Sequence, residues 1–539
     1  MVECRNITVS AHGNISPCTH HTDQAILNLV SATSVVMHRK LAIQGSTQAY
    51  ACRYRLLKRV FWRKVAKSLL LPLFLFSNTA VADVDVNESL FGLQQLRLFA
   101  NSPDGYVPIS QPVALAELMG EQQVDSLTLE DARRKAHESS YSLGASRSKT
   151  SAAANLARAA YSGVLPSVNL RTARGRENST PSSRLDDTTG EALAESTQIR
   201  KEVYAVISQP LLDLSAVSEI RRTAAVRKAS EFDESGVRGD VTYDSSAAFF
   251  SAVEAELSLK LALAQQQRLE RLGIWMSARA EAGGASGADR ERINARVLSA
   301  KSNVEDAISQ ANQAYITLSQ LTGTLPRQLV LPSLGSYEPV GSLEDALAMV
   351  SHANPAVLTA RANEEASKQE RLGYWARFTP TLKFELSTTN IDNAGGVMGW
   401  RKDERAMLVL NMSLFAGGGD YFKQRASHNK EEQYAFERLD SERTARRSLQ
   451  IAYSGLSSAR QKIKSLTKQA QAQAKVVEAF DAQLAITSRN LLDVFDAYQQ
   501  YYQSQLELVR TSVQAILLEQ QILRVTGRLG NTLPMNGEG

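Results

Sequence analysis

Most of this chain is one unit written twice. Leu129-Glu130-Asp131-Ala132 returns 214 residues later as Leu343-Glu344-Asp345-Ala346, and Pro166 returns at the same interval as Pro380. Farther along the interval shortens to 204: Asp289 matches Asp493, and Leu321-Thr322-Gly323 resembles Val525-Thr526-Gly527. One longer polar loop in the first copy absorbs the difference. Units of about 200 residues are far longer than the repeats of about 20–50 residues that stack into solenoids. The unit is a duplicated domain, and whatever one copy builds the other must build too.

Proline placement shows what each copy contains. None lies between Pro210 and Pro326, and none between Pro380 and Pro534. These intervals are rich in Ala, Gln, Leu, Glu and Arg, which favour helix, and they lack the residue that breaks it. In the second copy apolar positions run Leu449, Ala452, Leu456, Ala459, Ile463, Leu466, Ala470, then Val477, Phe480 and Leu484. The last helix continues with Leu506, Val509, Val513, Ile516 and Leu523. Steps of three and four mark helices packed as left-handed coiled coils. The expected helices are 127–163, 214–283 and 288–323 in the first copy, and 343–378, 420–489 and 491–527 in the second. At 1.5 Å per residue the long ones reach roughly 100 Å and the short ones roughly 55 Å, so two short helices laid end to end match one long one. That is a thin wall of rods, without a globular core.

Each copy also carries two strands at the far end of its long helix. Leu382, Phe384 and Leu386 alternate with Lys383, Glu385 and Ser387, and the returning stretch sets Ala406, Leu408, Leu410 and Met412 against Arg405, Asn411 and Ser413. The first copy repeats this more weakly with Val168, Leu170, Val203, Ala205 and Ile207. Polar loops are expected at Ala173–Gln198 and Thr389–Glu404. Strands of about ten residues, apolar on one face and polar on the other, suit a lipid-embedded barrel with a wet lumen; a small soluble sheet is the bland alternative. Four strands cannot close a barrel, and open strand edges in hydrocarbon cost several kcal/mol per unpaired backbone group. At least two chains must therefore share one barrel, with dimer and trimer both open on this argument.

The N-terminus reads as an export signal. A basic stretch at 53–67, the apolar run Ser68 to Phe76 and the small-residue pattern Ala80-Val81-Ala82 follow in the order that signal peptidase reads, which places cleavage after Ala82. Asp83 rather than Cys follows the cut, so no N-terminal lipid anchor is expected. All three cysteines precede it, as do ten of the 61 basic and two of the 56 acidic residues. The remainder holds 51 basic against 54 acidic residues, a net charge of −3, and no basic patch for nucleic acid. Without cysteine the exported chain has neither disulfides nor thiol chemistry.

These features together resemble the TolC-type outer-membrane efflux and type I secretion channels. The resemblance rests on the Leu127–Ala132 opening and its echo, on the Ala376 to Leu382 approach to a strand and on Leu414-Phe415-Ala416-Gly417-Gly418 leaving one. Asp493-Val494-Phe495-Asp496-Ala497 at the last helical turn also carries it. It implies a mixed α and β membrane protein: a trimeric, twelve-stranded transmembrane β-barrel continued by a long periplasmic α-helical barrel. The order is then a leader and signal peptide (1–82), an N-terminal segment (83–126), a first repeat (127–325), an equatorial linker (326–342), a second repeat (343–528) and a tail (529–539). The linker and the terminal segments are expected to build an equatorial belt. The implied role is a passive exit duct in the outer membrane of a Gram-negative bacterium. Its partners would be a periplasmic adaptor and an inner-membrane pump of the ABC, RND or MFS kind. A periplasmic coiled-coil adaptor or scaffold is the alternative, although an adaptor should carry one helical hairpin and this chain has two.

No enzyme signature is present. His137, His352 and His428 are scattered without metal-ligand spacing, and Gly283-Gly284-Ala285-Ser286-Gly287 lacks the lysine of a phosphate loop and reads as a turn between helices. The residues of interest sit at the two helical turns. Asp493 and Asp496, three apart, share one helical face. By the resemblance they close the periplasmic end of the pore, joined by Asp289 and by Arg489, which would pair with Asp289. Symmetry would gather the carboxylates into a ring attractive to a divalent cation. Gly283, Ser286, Gly287, Asn490 and Leu491 would form the tip that meets the adaptor. A purely structural reading also stands, in which Ser286 with Asp289 and Asn490 with Asp493 are helix N-caps followed by an acid three residues on. The resemblance departs at Leu484 and Ala288, where some members carry tyrosine and threonine.

Overall fold

The computed structural model describes residues 91–100, 106–110, 122–180, 185–186, 188–191, 196–333, 340–395, 397–484 and 491–529. The chain divides into two units, Met1–Ala82 and Asp83–Gly539, and every described residue belongs to the second. In order, this unit runs α1 (Phe91–Ala100), β1 (Tyr106–Pro108), β2 (Gln122–Val124), β3 (Leu127–Thr128), α2 (Leu129–Ser139), α3 (Tyr141–Ala159), β4 (Ser167–Ser179), β5 (Ser196–Leu212), α4 (Leu214–Glu281) and α5 (Gly287–Thr322). It continues with β6 (Thr324–Pro326), β7 (Gln328–Val330), α6 (Leu343–Ala353), α7 (Pro355–Ala376), β8 (Thr381–Ala394), β9 (Val397–Asn411), α8 (Gly419–Leu484) and α9 (Leu491–Val525).

The rods follow the periodicity. α4 and α8 are 68 and 66 residues long, and α5 and α9 are 36 and 35. Leu449, Ala452, Leu456, Ala459, Ile463 and Leu466 of α8 are all buried, against α9 through Leu508, Ala515 and Ile522. The short helices differ from expectation. Where the sequence suggests single helices over 127–163 and 343–378, each is broken into two, at Ser140 and at Asn354. Both residues leave the helical region and cap the helix that follows: Ser140 Oγ accepts from Leu143 N at 3.2 Å and Asn354 Oδ1 from Val357 N at 3.0 Å, with Pro355 in the first turn. A capped break satisfies the orphan amides of the new helix start, so it disturbs the helical composition very little.

The rods form one layer. α3 packs on α4, α4 on α7 and α7 on α8; nearer the turns, α5 packs on α4, α4 on α9 and α9 on α8. Thus α4 and α8 run the full length, α7 and α9 share the space between them, and α3 with α5 line the outer flank of α4. Short strands cross the wall midway. β1 pairs antiparallel and β3 parallel with β7, and β2 pairs parallel with β6. The described part of this belt is therefore built from 106–128 and 324–330, beginning earlier than Pro326; residues 334–339 of the expected linker lie outside the described residues. Beneath it, Glu256 of α4 is only 6% exposed and accepts hydrogen bonds from Ser110 Oγ and Tyr315 Oη, which fastens the N-terminal segment to α4 and α5. Burial and the neighbouring carboxylate push the Tyr315 phenol far above its ordinary pKa.

β4, β5, β8 and β9 form one antiparallel sheet in that order, with β4 and β9 as free edges. The order repeats that of the helices they join, α3, α4, α7 and α8. The register settles the two faces. Val168 lies opposite Ile207, Ile207 opposite Leu386 and Leu386 opposite Ala406; on neighbouring rungs Phe384 faces Leu408 and Leu382 faces Leu410. The other face carries Arg171 opposite Tyr204, Ser208 opposite Glu385, and Ser387 opposite Arg405. The strands are longer than expected, at 13, 17, 14 and 15 residues: Thr389–Glu404 is mostly strand rather than loop, and the ends of Ala173–Gln198 join the ladder as far as Ser179 and from Ser196. There the ladder is held by polar pairs such as Arg200–Glu177 at 3.2 Å and Lys201–Asp392 at 3.1 Å. Strand that rises beyond an apolar band has no face to keep greasy, so hydropathy stops marking it.

One ion pair inside the wall carries a prediction. Glu519 of α9, 4% exposed, meets Arg460 of α8 at 3.0 Å. Burial outweighs the pull of the guanidinium and raises the Glu519 carboxyl from its ordinary 4.5 to about 7. The folded wall then holds a proton that the unfolded chain releases, so stability is greatest below the unfolded value and falls as pH rises toward the folded one. Denaturant unfolding of the full chain between pH 5 and 7 should show this slope, at most about 1.4 kcal/mol per pH unit. Glu519→Gln should flatten it; an unchanged slope would assign the dependence elsewhere.

Candidate functional site: the paired helical turns

At the end of the wall opposite the sheet α4 turns back into α5, and beside it the last described turn of α8 lies near the start of α9. A shared apolar cluster joins them: Leu269, Leu272 and Met276 of α4, Ile293 of α5, Val477 of α8, and Val494, Phe495 and Tyr498 of α9. In the first turn Gly283 takes a left-handed conformation, φ 76°, and the amides of Ala282, Gly283 and Gly284 return to the carbonyls of Ala278, Ala280 and Arg279. Arg279 Nε donates to the Gly284 carbonyl at 3.1 Å while its guanidinium lies 5.2 Å from the Trp275 ring centre. The turn is thus closed by its own backbone and one arginine.

Ser286 caps α5. Its Oγ accepts from Asp289 N at 3.1 Å and donates to Asp289 Oδ2 at 2.8 Å, and Arg292 stands 3.8 Å from the same carboxylate. Asp289 is thus a capping acid in the first turn of α5. Its observed cation is Arg292, from its own helix. Arg489 and Asn490 lie outside the described residues, as does the side chain of Leu491.

Asp493 lies in the first turn of α9, and Asp493 and Asp496 are both exposed. The residues between and beyond them face the other way: Val494, Phe495, Ala497 and Tyr498 are buried in the shared cluster. α9 is consequently fixed in rotation, and its two carboxylates are held outward on one face. Among the described residues neither makes an ion pair, and no group of three metal-ligating side chains occurs. Nor does any hydrogen bond among them link Asp289 to Asp493 or Asp496. Among the described residues one chain offers a cation these two carboxylates on this face, and a ring would need further copies.

Sequence reasoning missed what locks the tip. Tyr498 Oη donates to Asp481 Oδ1, tying α9 to α8 across the turn, and burial with that carboxylate lifts the phenol far above its ordinary pKa. Arg268 of α4 lies 5.1 Å from the Tyr501 ring centre, tying the two hairpins together. Tyr498 and Asp481 are 17 residues apart on different helices, so no local pattern marks them.

No protein-family profile and no curated protein sequence matches the chain. Solved structures do. A membrane protein from Pseudomonas aeruginosa superposes with a TM-score of 0.65 at 18% identity, over 74% of this chain and 93% of that one. The CmeC outer membrane channel of Campylobacter jejuni gives 0.63 at 13% identity, over 86% and 98%. The open state of the MtrE outer membrane channel of Neisseria gonorrhoeae gives 0.63 at 15% identity, over 85% and 98%. The likeness to TolC-type channels read from the sequence is borne out at the level of fold.

Proposed function

We propose that this chain is one protomer of an outer-membrane exit duct. Copies would close in a ring and conduct cargo passively from an inner-membrane pump and periplasmic adaptor to the exterior. The observation that carries this reading is the open four-stranded sheet, apolar on one face and unpaired at both edges, continuous with helices in the same lateral order. A soluble scaffold would hold Leu170, Leu408 and Leu410, each about two-thirds exposed, in water. At about 25 cal/mol per Å² such a face favours lipid strongly. The edges ask for the same solution: β4 of one copy beside β9 of the next satisfies both ladders at once. A three-copy ring gives twelve strands, within the range of single-lumen barrels. Purified protein should migrate as a heat-modifiable oligomer and conduct ions in planar bilayers. A stable monomer that never enters outer-membrane fractions would end the reading.

The paired turns are the proposed gate. A ring of Asp493 and Asp496 from each copy narrows the mouth, disfavours anions and gathers divalent cations by like-charge crowding. Opening requires α8 and α9 to move apart from neighbouring copies, and the exposed first turn around Gly283, Ser286 and Gly287 is the surface offered to an adaptor. Replacing Asp493 and Asp496 together with alanine should raise single-channel conductance and weaken its block by added Mg²⁺. Conductance equal to wild type would remove the gate assignment while leaving the duct intact.

A further inference from the structure

The outward face of β5 changes character at a definite point, two rungs farther along than on β8 and β9, where Thr388–Glu404 and Asn390–Lys402 already lie beside Ala205 and Val203. On β5 the outward residues run from Leu212 through Gln209, Ile207 and Ala205 to Val203, and the next two are Lys201 and Ile199. From Leu212 to Val203 is about 30 Å along the strand, or about 23 Å along the axis of a barrel tilted near 40°, close to the ~25 Å apolar height of such barrels. Lys201 therefore begins the headgroup level on the side away from the helices. The rung through it places Arg174, Lys201, Asp392 and Trp400 side by side on the same face, with Arg176 one rung beyond.

Two features of this rung call for an anion. Arg174 lies directly opposite Lys201, and like charges in that position destabilise a ladder unless something negative sits between them. Lys201 is answered by Asp392 at 3.1 Å, and Lys402 by Glu404 at 2.6 Å. Arg174 and Arg176 are exposed and make no ion pair among the described residues. Trp400, 70% exposed on the same rung, has the amphipathic ring that prefers the boundary between acyl chains and headgroups. Two forked guanidinium groups, an ammonium and an indole at the lipid boundary suit a phosphorylated headgroup with acyl chains beneath it.

The geometry points to a lipid site on the outside of the barrel: Arg174, Arg176 and Lys201 hold the phosphates of an anionic glycolipid in the outer leaflet, with its acyl chains along Val203 and Leu170. This rests on the membrane placement proposed above. The site recruits a lipid found on one side of the membrane only, and so fixes the depth and orientation of the sheet.

The test uses the full chain in non-ionic detergent, titrated with bisphosphorylated lipid A. The variants are Arg174→Gln/Arg176→Gln, the charge-keeping Arg174→Lys/Arg176→Lys, and Arg171→Gln on the lumen face as control. Wild type should bind, and the glutamine pair should weaken binding about tenfold or more, since two charge-assisted contacts are lost. The lysine pair should recover part of this, and Arg171→Gln should stay within about twofold of wild type, its charge facing away. Removing both phosphates from the lipid should weaken binding as the glutamine pair does, and millimolar inorganic phosphate should fail to compete. Equal affinity in the glutamine pair overturns the proposal, as does full competition by free phosphate. So does a glutamine pair that loses heat-resistant oligomer while keeping lipid affinity, which would place the arginines across the seam between copies. Bilayer conductance of wild type, measured in parallel, reports on the duct reading separately: conduction without lipid A binding defeats the lipid site alone.

Discussion

Leu408→Arg is expected to remove the protein from the outer-membrane fraction, while Met407→Arg, one residue earlier, leaves it there. Leu408 lies opposite Phe384 on the apolar face and Met407 opposite Glu385 on the polar one, so the two substitutions place the same charge on opposite sides of one strand. A lipid-facing arginine near the middle of the hydrocarbon costs about 2–4 kcal/mol per chain. In a ring of three copies the cost recurs three times, about 6–12 kcal/mol, comparable to the whole stability of a folded domain. Arginine at 407 instead gains a carboxylate across the ladder and a wet lumen. Heat-modifiable migration and membrane fractionation measure both variants. Equal behaviour would mean that the two faces see the same solvent, and the membrane placement would fall with that result.

How far the sequence shows this architecture depends on which force writes each part. The rods are legible because burial of a helix seam needs an apolar residue every three or four positions, and Leu449, Ile463, Val509 and Val513 meet that need directly. The lower strands are legible because lipid on one side and water on the other impose a period of two. The helix breaks at Ser140 and Asn354 are hidden because each is a local exchange of one backbone hydrogen bond for a side-chain cap, within a composition that favours helix on both sides. The upper strands are hidden because above the apolar band both faces are polar. The crossing strands of the belt are two or three residues long, too short for any period, and depend on partners some 200 residues distant. At the tip, Asp289, Asp493 and Asp496 stood out because the duplication aligned two of them. The Asp481–Tyr498 and Arg268–Tyr501 contacts that hold α9 in place did not, since neither has a counterpart in the other copy.

The duplication also sets up a comparison within one molecule. Gly323 and Gly527 end α5 and α9 at equivalent positions, both left-handed, with φ of 67° and 71°. Gly323 is surrounded by open space, whereas a Cβ on Gly527 would stand 2.1 Å from the Ala353 carbonyl oxygen. At the end of α9 the break between α6 and α7 stands close: buried Asn354 donates Nδ2 to the Val525 carbonyl at 2.8 Å while capping α7. Gly323→Ala should cost only the left-handed penalty, about 1–2 kcal/mol. Gly527→Ala must in addition push the α6–α7 junction away, with overpacking of about 1–3 kcal/mol and an Asn354 hydrogen bond weakened in a buried site for about 1–3 more. Denaturant unfolding should therefore separate the two by at least about 2 kcal/mol. Both glycines close a helix, so equal losses would show that helix closure alone matters and that the end of α9 is not docked on Asn354.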